Sequence, residues 1–210
     1  MPHNNKKLLA TVLVLLTIVA TPPVVALDMT PEQRTILDKA EAHINEFTTL
    51  QARFVQVADG GGFAEGDLYV SRPGKMRLVY DPPTPVLMVA DGTWLIHVDL
   101  ELDAATYVDL DDTPAALLLR ADLSFLDPDI NLLNITFGTG TVEISASMRR
   151  DSTFGRLTFV FSEKPFELRQ WRVLDAQNQE VTVTLYNTRT GLALEPNLFR
   201  YERRDPFVDE

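Results

Sequence analysis

The sequence predicts an α+β protein built mainly of antiparallel β-structure, and three patterns support this prediction. Apolar residues recur at helical spacing in one early stretch, from Ile36 to Phe47. Farther along, apolar and polar residues alternate one by one in several segments, as in strands with one buried face. A short run that is apolar on nearly every side, residues 115–119, interrupts these segments. The expected order is therefore one helix, a large sheet, and a second, short helix inserted into the sheet region.

The first 26 residues have the pattern of a secretory signal peptide. Lys6 and Lys7 precede an uncharged apolar run at 8–20, and Val24-Val25-Ala26 has the small residues of a cleavage site. The run is shorter than the roughly 20 apolar residues that cross a bilayer, which argues against an uncleaved anchor. We therefore expect cleavage after Ala26, export to the periplasm, and a single domain over residues 27–210.

The composition excludes several classes of function. The chain has no cysteine, so it has no disulfide, no zinc–thiolate site and no catalytic thiol. It carries 19 basic and 30 acidic residues, a formal net charge of −11. Such a surface repels phosphate groups, and we expect no nucleic-acid partner.

Two capping signals place the helices. Thr30-Pro31-Glu32-Gln33 has the residues of a capping box with proline at the first helical position. Thr113-Pro114 repeats the signal before the apolar run and predicts Thr113 as N-cap, with Pro114 as the first helical residue. A short helix with no polar face needs cover on all sides, from the sheet or from a ligand.

The strand segments alternate strictly and are separated by turn signals. The alternation is clearest in 141–148, 156–162 and 181–186, and turn residues stand at 60–62, 91–92 and 175–178. So long a sheet must curl, and its apolar concave face must be filled by side chains, by helices acting as a lid, or by a ligand.

No pattern for catalysis or metal binding is present in the sequence. His43 and His97 are the histidines beyond the predicted signal peptide, and neither has metal-ligand spacing with other residues. There is no nucleophile elbow, phosphate-binding loop or dinucleotide fingerprint. We expect no catalytic residue, no metal and no cofactor.

Several segments, taken in order, carry a family resemblance. They are residues 66–77, which read GDLYVSRPGKMR, and 89–95, which read VADGTWL, with Phe54-Val55-Gln56 before them and Trp171-Arg172-Val173 after them. In this order and spacing the chain resembles the LolA family of periplasmic lipoprotein carriers over nearly the whole length beyond residue 26.

The resemblance implies an incomplete β-barrel covered by a lid of short α-helices, with a hydrophobic cavity between barrel and lid. It implies a monomeric carrier that binds the acyl chains of lipoproteins released by an inner-membrane ABC transporter. Delivery is to an outer-membrane acceptor that is itself a lipoprotein. Two alternatives remain open on the same fold: a carrier of another lipid, such as a glycolipid, and a periplasmic protein-interaction or sensor module.

The resemblance and the strand alternation together give a set of site residues. Arg72 corresponds to the family's arginine that holds the lid closed, and it shares a strand face with Leu68 and Val70. The resemblance implies a cavity, and the residues expected to line it, each set sharing one face of its strand, are Phe54, Leu68, Val70, Met76, Leu78, Tyr80, Val89, Trp94, Ile96, Phe159 and Phe161. The expected lid residues, besides Arg72, are Ala115, Ala116, Leu117, Leu118 and Leu119.

Overall fold

The structure is a computed structural model that describes residues 29–149 and 155–202. The predicted signal peptide, residues 1–26, lies outside the described residues. The helices are α1, Pro31–Glu46, and α2, Ala115–Leu118, with 3₁₀ turns at Leu110–Asp112 and Pro196–Phe199. The strands are β1 Thr49–Ala58, β2 Phe63–Ser71, β3 Lys75–Tyr80, β4 Val86–Asp91, β5 Trp94–Asp99, β6 Ala104–Asp109, β7 Ile130–Phe137, β8 Thr141–Met148, β9 Arg156–Glu163, β10 Phe166–Leu174 and β11 Glu180–Thr190.

All eleven strands form one antiparallel sheet in the order β6-β5-β4-β3-β2-β1-β11-β10-β9-β8-β7. The sheet does not close, because β6 and β7 stand at its two ends without pairing to each other. It is nevertheless strongly curled: Leu95 of β5 and Leu157 of β9 line one cavity, although six strands separate them. The predicted class, an incomplete barrel with a few helices, is confirmed.

Helix α1 begins where its capping box predicts. The Thr30 side chain accepts the Gln33 N–H, and the Gln33 side chain accepts the Thr30 N–H. Its apolar face, with Leu37, Ala40 and Ile44, is buried against the concave face of the sheet. The helix therefore covers part of that face and is fixed there by its hydrophobic stripe.

Residues 110–125, here called the lid, cross the concave face between β6 and β7. Leu117, Leu119, Leu123 and Phe125 are almost completely buried there. The start of α2 corrects the prediction from the sequence: Pro114 is the N-cap, and no side chain caps the helix. Thr113 instead ends the preceding 3₁₀ turn, where its hydroxyl donates a hydrogen bond to the Leu110 carbonyl oxygen.

The sheet buries apolar residues on both of its faces. The main core lies on the concave side, beneath α1 and the lid. A second cluster, formed by Leu87, Val89, Ile96 and Val98, lies on the outer side of β4 and β5, where Tyr201 packs against it. The C-terminal segment thus covers an outer surface that would otherwise expose apolar side chains to water.

Candidate functional site

A cavity of about 390 Å³ lies on the concave face, between the sheet and the start of α2. This volume is in the range of small-molecule binding sites. Most of the cavity wall is apolar, and the lining comprises Gln56, Ala64, Met76, Leu78, Tyr80, Thr84, Val86, Met88, Leu95, His97, Thr113, Pro114, Ala115, Leu118, Leu157, Trp171, Val173, Asp175, Val181 and Val183. Such a lining suits a hydrocarbon ligand, because transfer of apolar surface out of water is favourable.

Tyr80 is a buried polar residue of the lining. Its hydroxyl donates to Gln56 Oε1 at 2.7 Å and lies 3.7 Å from the sulfur of Met88. Burial raises the pKa of the Tyr80 phenol to about 12, and the hydrogen bond to Gln56 opposes this rise. The Tyr80 ring packs edge-on against Phe54, with centroids 5.1 Å apart. The phenol therefore stays protonated and is held in one position.

Gly66 makes room for this aromatic pair. A Cβ atom at residue 66 would lie 2.7 Å from the Phe54 ring and 2.1 Å from the Val79 carbonyl oxygen. Gly66 pairs with both Phe54 and Tyr80 across the sheet, so the two rings cover the position where its side chain would stand.

Arg72 ties the lid to α1 and to the sheet. The residue is 8 % exposed, and its guanidinium donates to four acceptors: the carbonyl oxygens of Arg120 (2.7 Å), Ile44 and Phe47 (3.3 Å), and Asn45 Oδ1 (3.0 Å). Burial lowers the pKa of Arg72, although the guanidinium remains charged at any physiological pH. These acceptors satisfy a buried cation that would be costly to leave unpaired.

A second bond from the same turn holds the end of α2. The Gly74 N–H donates to the Leu119 carbonyl at 2.8 Å, beside the bond from Arg72 to Arg120. The β2–β3 turn thus donates hydrogen bonds to two successive carbonyl groups at the C-terminal end of α2.

Asn45 and Glu41 of α1 also hold the lid, a role that the sequence analysis did not predict. Asn45 forms two bonds with the backbone of Leu123, donating at 2.8 Å and accepting at 2.9 Å. Glu41 Oε1 accepts the Phe125 N–H at 2.7 Å. The one signal in the sequence is their spacing of four residues, which places both on one side of α1.

Another part of the concave face is filled by an aromatic cluster around His43. The imidazole makes edge contacts with the rings of Phe47, Phe161 and Phe166, and Nε2 accepts the Leu168 N–H at 3.2 Å. Burial lowers the pKa of His43, while Glu46 and Glu167 act in the opposite direction. His43 is therefore a half-buried residue that packs in its neutral form against the aromatic cluster.

Most of the predicted site residues lie on the concave side. Among them, the cavity lining includes Met76, Leu78, Tyr80, Ala115 and Leu118. The others on this side are buried in the surrounding core and do not line the cavity: Phe54, Leu68, Val70, Phe159, Phe161, Leu117 and Leu119. Ala116 is buried within α2. Whether any of them contacts a ligand stays a prediction.

The structure corrects the prediction for Val89, Trp94 and Ile96. Val89 and Ile96 belong to the cluster on the outer side of the sheet. Trp94 lies on that side too, is 42 % exposed, and packs edge-on against Tyr107. The neighbours with opposite orientation, such as Met88 and Leu95, line the cavity in their place. The prediction failed because both faces of β4 and β5 are apolar, so alternation alone could not distinguish them.

Residues 29–149 and 155–202 contain neither a cluster suited to a metal ion nor a membrane-spanning helix. No group of three or more His, Asp or Glu side chains is arranged to hold a metal ion in this part of the chain. Nor does any helix there have the length and hydrophobicity needed to span a membrane.

The site is thus an apolar cavity in a curled open sheet, beneath a lid that hydrogen bonds hold in place, and this geometry suits hydrophobic ligands. The chain belongs to the family described as outer membrane lipoprotein carrier protein LolA, whose model matches residues 45–202. An outer-membrane lipoprotein carrier protein of Nitrosomonas europaea is 28 % identical over 181 residues, 81 % of this chain and 86 % of that protein. One of Methylococcus capsulatus is 28 % identical over 183 residues, covering 83 % and 84 %. Among solved structures, a LolA superfamily protein of Nitrosomonas europaea aligns with a TM-score of 0.48 and 9 % identity, covering 80 % of this chain and 97 % of that one.

Proposed function

We propose that this protein is a periplasmic lipoprotein carrier that shields the acyl chains of its cargo in the cavity beneath the lid. The observation that carries the proposal is the apolar cavity between the sheet and α2, next to a lid that Arg72, Asn45 and Gly74 hold in place. Membership of the lipoprotein-carrier family supports the choice of cargo. The donor would be an inner-membrane ABC transporter, and the acceptor an outer-membrane lipoprotein.

Burial of the lid leucines can make the closed, empty state about as stable as the loaded state, as a carrier that releases its cargo requires. Leu117, Leu118 and Leu119 are buried in the closed state, and each buried leucine stabilises that state by roughly 1.5–3 kcal/mol. Acyl chains that displace these side chains from the concave face would bury comparable apolar area. The closed and loaded states would then lie close in free energy, and cargo would pass to the acceptor without a bond-breaking step.

The test is a release experiment with spheroplasts. Purified protein is added to spheroplasts that are synthesising labelled lipoproteins, and the soluble fraction is examined for complexes of lipoprotein with this protein. We expect such complexes, and we expect the cavity-filling variant Ala115→Phe to form fewer of them. The matched control is Ala42→Phe, because Ala42 is on the exposed side of α1.

The opposite result has a defined meaning. If the wild-type protein releases no lipoprotein while a known carrier does so from the same spheroplasts, the proposal is wrong. Lipids and peptides that copurify with the protein would then identify the class of cargo, including the glycolipid and protein-segment alternatives.

A further inference from the structure

One side chain on the concave face departs from the apolar pattern. In β1 the inward residues before it are Leu50, Ala52 and Phe54, and all three are buried in the main core. Gln56 continues this face and lines the cavity. A carboxamide in an apolar wall is unfavourable unless its polar atoms have hydrogen-bond partners.

The strands beside Gln56 offer it no polar partner. Its neighbour on β11 is Val183, and its neighbour on β2 is Ala64; both line the cavity as well. The partner comes from farther away, because the Tyr80 hydroxyl on β3 donates to Gln56 Oε1 at 2.7 Å. This bond fixes the orientation of the carboxamide.

In the hydrogen-bonded pair of Tyr80 and Gln56, the Gln56 NH₂ group is left free, within the described part of the chain, to donate further hydrogen bonds. A glutamine carboxamide has one oxygen and an NH₂ group with two N–H donors. The oxygen accepts the hydrogen bond from the Tyr80 hydroxyl, and no protein group within residues 29–149 and 155–202 accepts a hydrogen bond from the Gln56 NH₂. The cavity wall therefore presents an oriented N–H donor among apolar side chains.

The donor lies toward one end of the cavity. Thr84 and Asp175, which also line the cavity, stand in the β3–β4 and β10–β11 connections at the same end of the sheet. Met76, four residues before Tyr80 on β3, lines the cavity toward the other end, where Arg72 holds the lid. Three polar residues of the lining, Gln56, Thr84 and Asp175, thus stand toward one end of the strands, and Met76 stands toward the other.

We propose that Gln56, held by Tyr80, donates a hydrogen bond to the carbonyl oxygen of an acyl ester or amide, while the hydrocarbon chain extends toward Met76. The pattern of the wall supports this ligand class, because it places the oriented Gln56 N–H donor next to an extended apolar surface. An acyl group has the matching form, a single acceptor followed by a hydrocarbon chain. The inference rests on the proposed function, since it specifies how the cargo's acyl chain is oriented.

The experiment compares two probes that differ in this carbonyl. One is dioctanoylglycerol, an ester, and the other is the dioctyl ether of glycerol, which has the same chain length and no carbonyl. Binding is followed by the fluorescence of Trp171, which lines the cavity and is 5 % exposed. Every protein also carries Trp94→Phe, because Trp94 lies on the outer side of the sheet and would add an unrelated signal.

We expect the ester to bind on the order of tenfold more tightly than the ether, the effect of about one good hydrogen bond. Gln56→Leu should abolish this difference and leave ether binding at least as strong. Gln51→Leu is the matched control and should retain the difference, since Gln51 is on the same strand and its side chain accepts a bond from Arg189 at the exposed surface. Tyr80→Phe keeps the Gln56 carboxamide but removes the hydrogen bond that orients it. This variant should reduce the difference between ester and ether affinity without abolishing binding.

The outcomes separate this inference from the proposed function. Equal affinities of the wild-type protein for the two probes, or an unchanged preference in a folded Gln56→Leu protein, would overturn the role of Gln56 alone. If neither probe binds the wild-type protein, the proposed lipid cavity is wrong and the inference fails with it. Should Gln56→Leu not fold, the Tyr80→Phe preference decides, and an unaltered preference there counts against the inference.

Discussion

The substitution Arg72→Leu removes the side chain that joins the lid, the end of α1 and the β2–β3 turn. It eliminates the bonds to the carbonyl oxygens of Arg120, Ile44 and Phe47 and to the side chain of Asn45. Leucine fills part of the space and offers no donor. We therefore expect the lid to open more readily while the rest of the sheet stays folded.

The size of the effect follows from two opposing contributions. A hydrogen bond from a charged donor stabilises by about 1.5–3 kcal/mol, so four such bonds are a large favourable contribution. Burying the guanidinium costs several kcal/mol, which offsets much of it. A net loss of about 3 kcal/mol is expected when one partner of such a buried network is removed. This corresponds to a roughly 100-fold larger population of the open lid.

Hydrogen exchange measured by mass spectrometry tests this prediction. Peptides that cover 115–125 and the last turn of α1 should exchange faster by about two orders of magnitude, and peptides from β8 and β9 should be unchanged. Arg77→Leu is the matched control: Arg77 lies on the other side of β3 and donates one bond, at 3.1 Å, to Leu198. It should affect the C-terminal segment and not the lid.

Unchanged exchange of the lid in Arg72→Leu would refute this reasoning. In that case apolar packing of the lid leucines would hold it closed without the arginine. If the lid does open, the proposed function predicts slower transfer of cargo to the acceptor, because closure would no longer compete effectively with the bound acyl chains.

Three further predictions concern the same framework. Asn45→Ala removes both bonds to the Leu123 backbone and should lower the free energy of unfolding by about 2 kcal/mol in urea titrations; an unchanged midpoint would show that these bonds contribute nothing net. Gly66→Ala places a methyl group 2.7 Å from the Phe54 ring and should cost about 3 kcal/mol by the same measurement, whereas a stable variant would mean that the strand shifts easily. His43 has a lowered pKa in the folded state and an ordinary value of 6.5 when unfolded, so the unfolded chain binds the proton more readily and stability falls as pH drops below about 6.5. His43→Gln should remove that part of the pH dependence between pH 7.5 and 5.5, and identical slopes for the two proteins would contradict the assignment.

Local patterns in the sequence were sufficient for the first helix, for the most regular strands and for the mainly antiparallel class of the fold. The capping box at Thr30 and the turn residues at 60–62 and 175–178 were found at the predicted places, because caps and tight turns depend on neighbouring residues. The alternation in 141–148 likewise became a strand with one core face. In β9 the same reasoning was incomplete: Thr158, expected on a wetted face, is buried and bonded to Ser145.

The sequence by itself determined the helix and strand periods, the inward position of Arg72 directly after β2, and the apolar character of residues 115–119 in the lid. Which apolar face became the cavity was decided only in the tertiary structure, because the C-terminal segment covers Val89 and Ile96 on the other side. The network of Asn45 and Glu41 with the lid, and the pairing of Tyr80 with Gln56, join residues far apart in the chain. Such contacts depend on how the sheet curls and where the lid crosses it, and neither is encoded in the periodicity of a single segment.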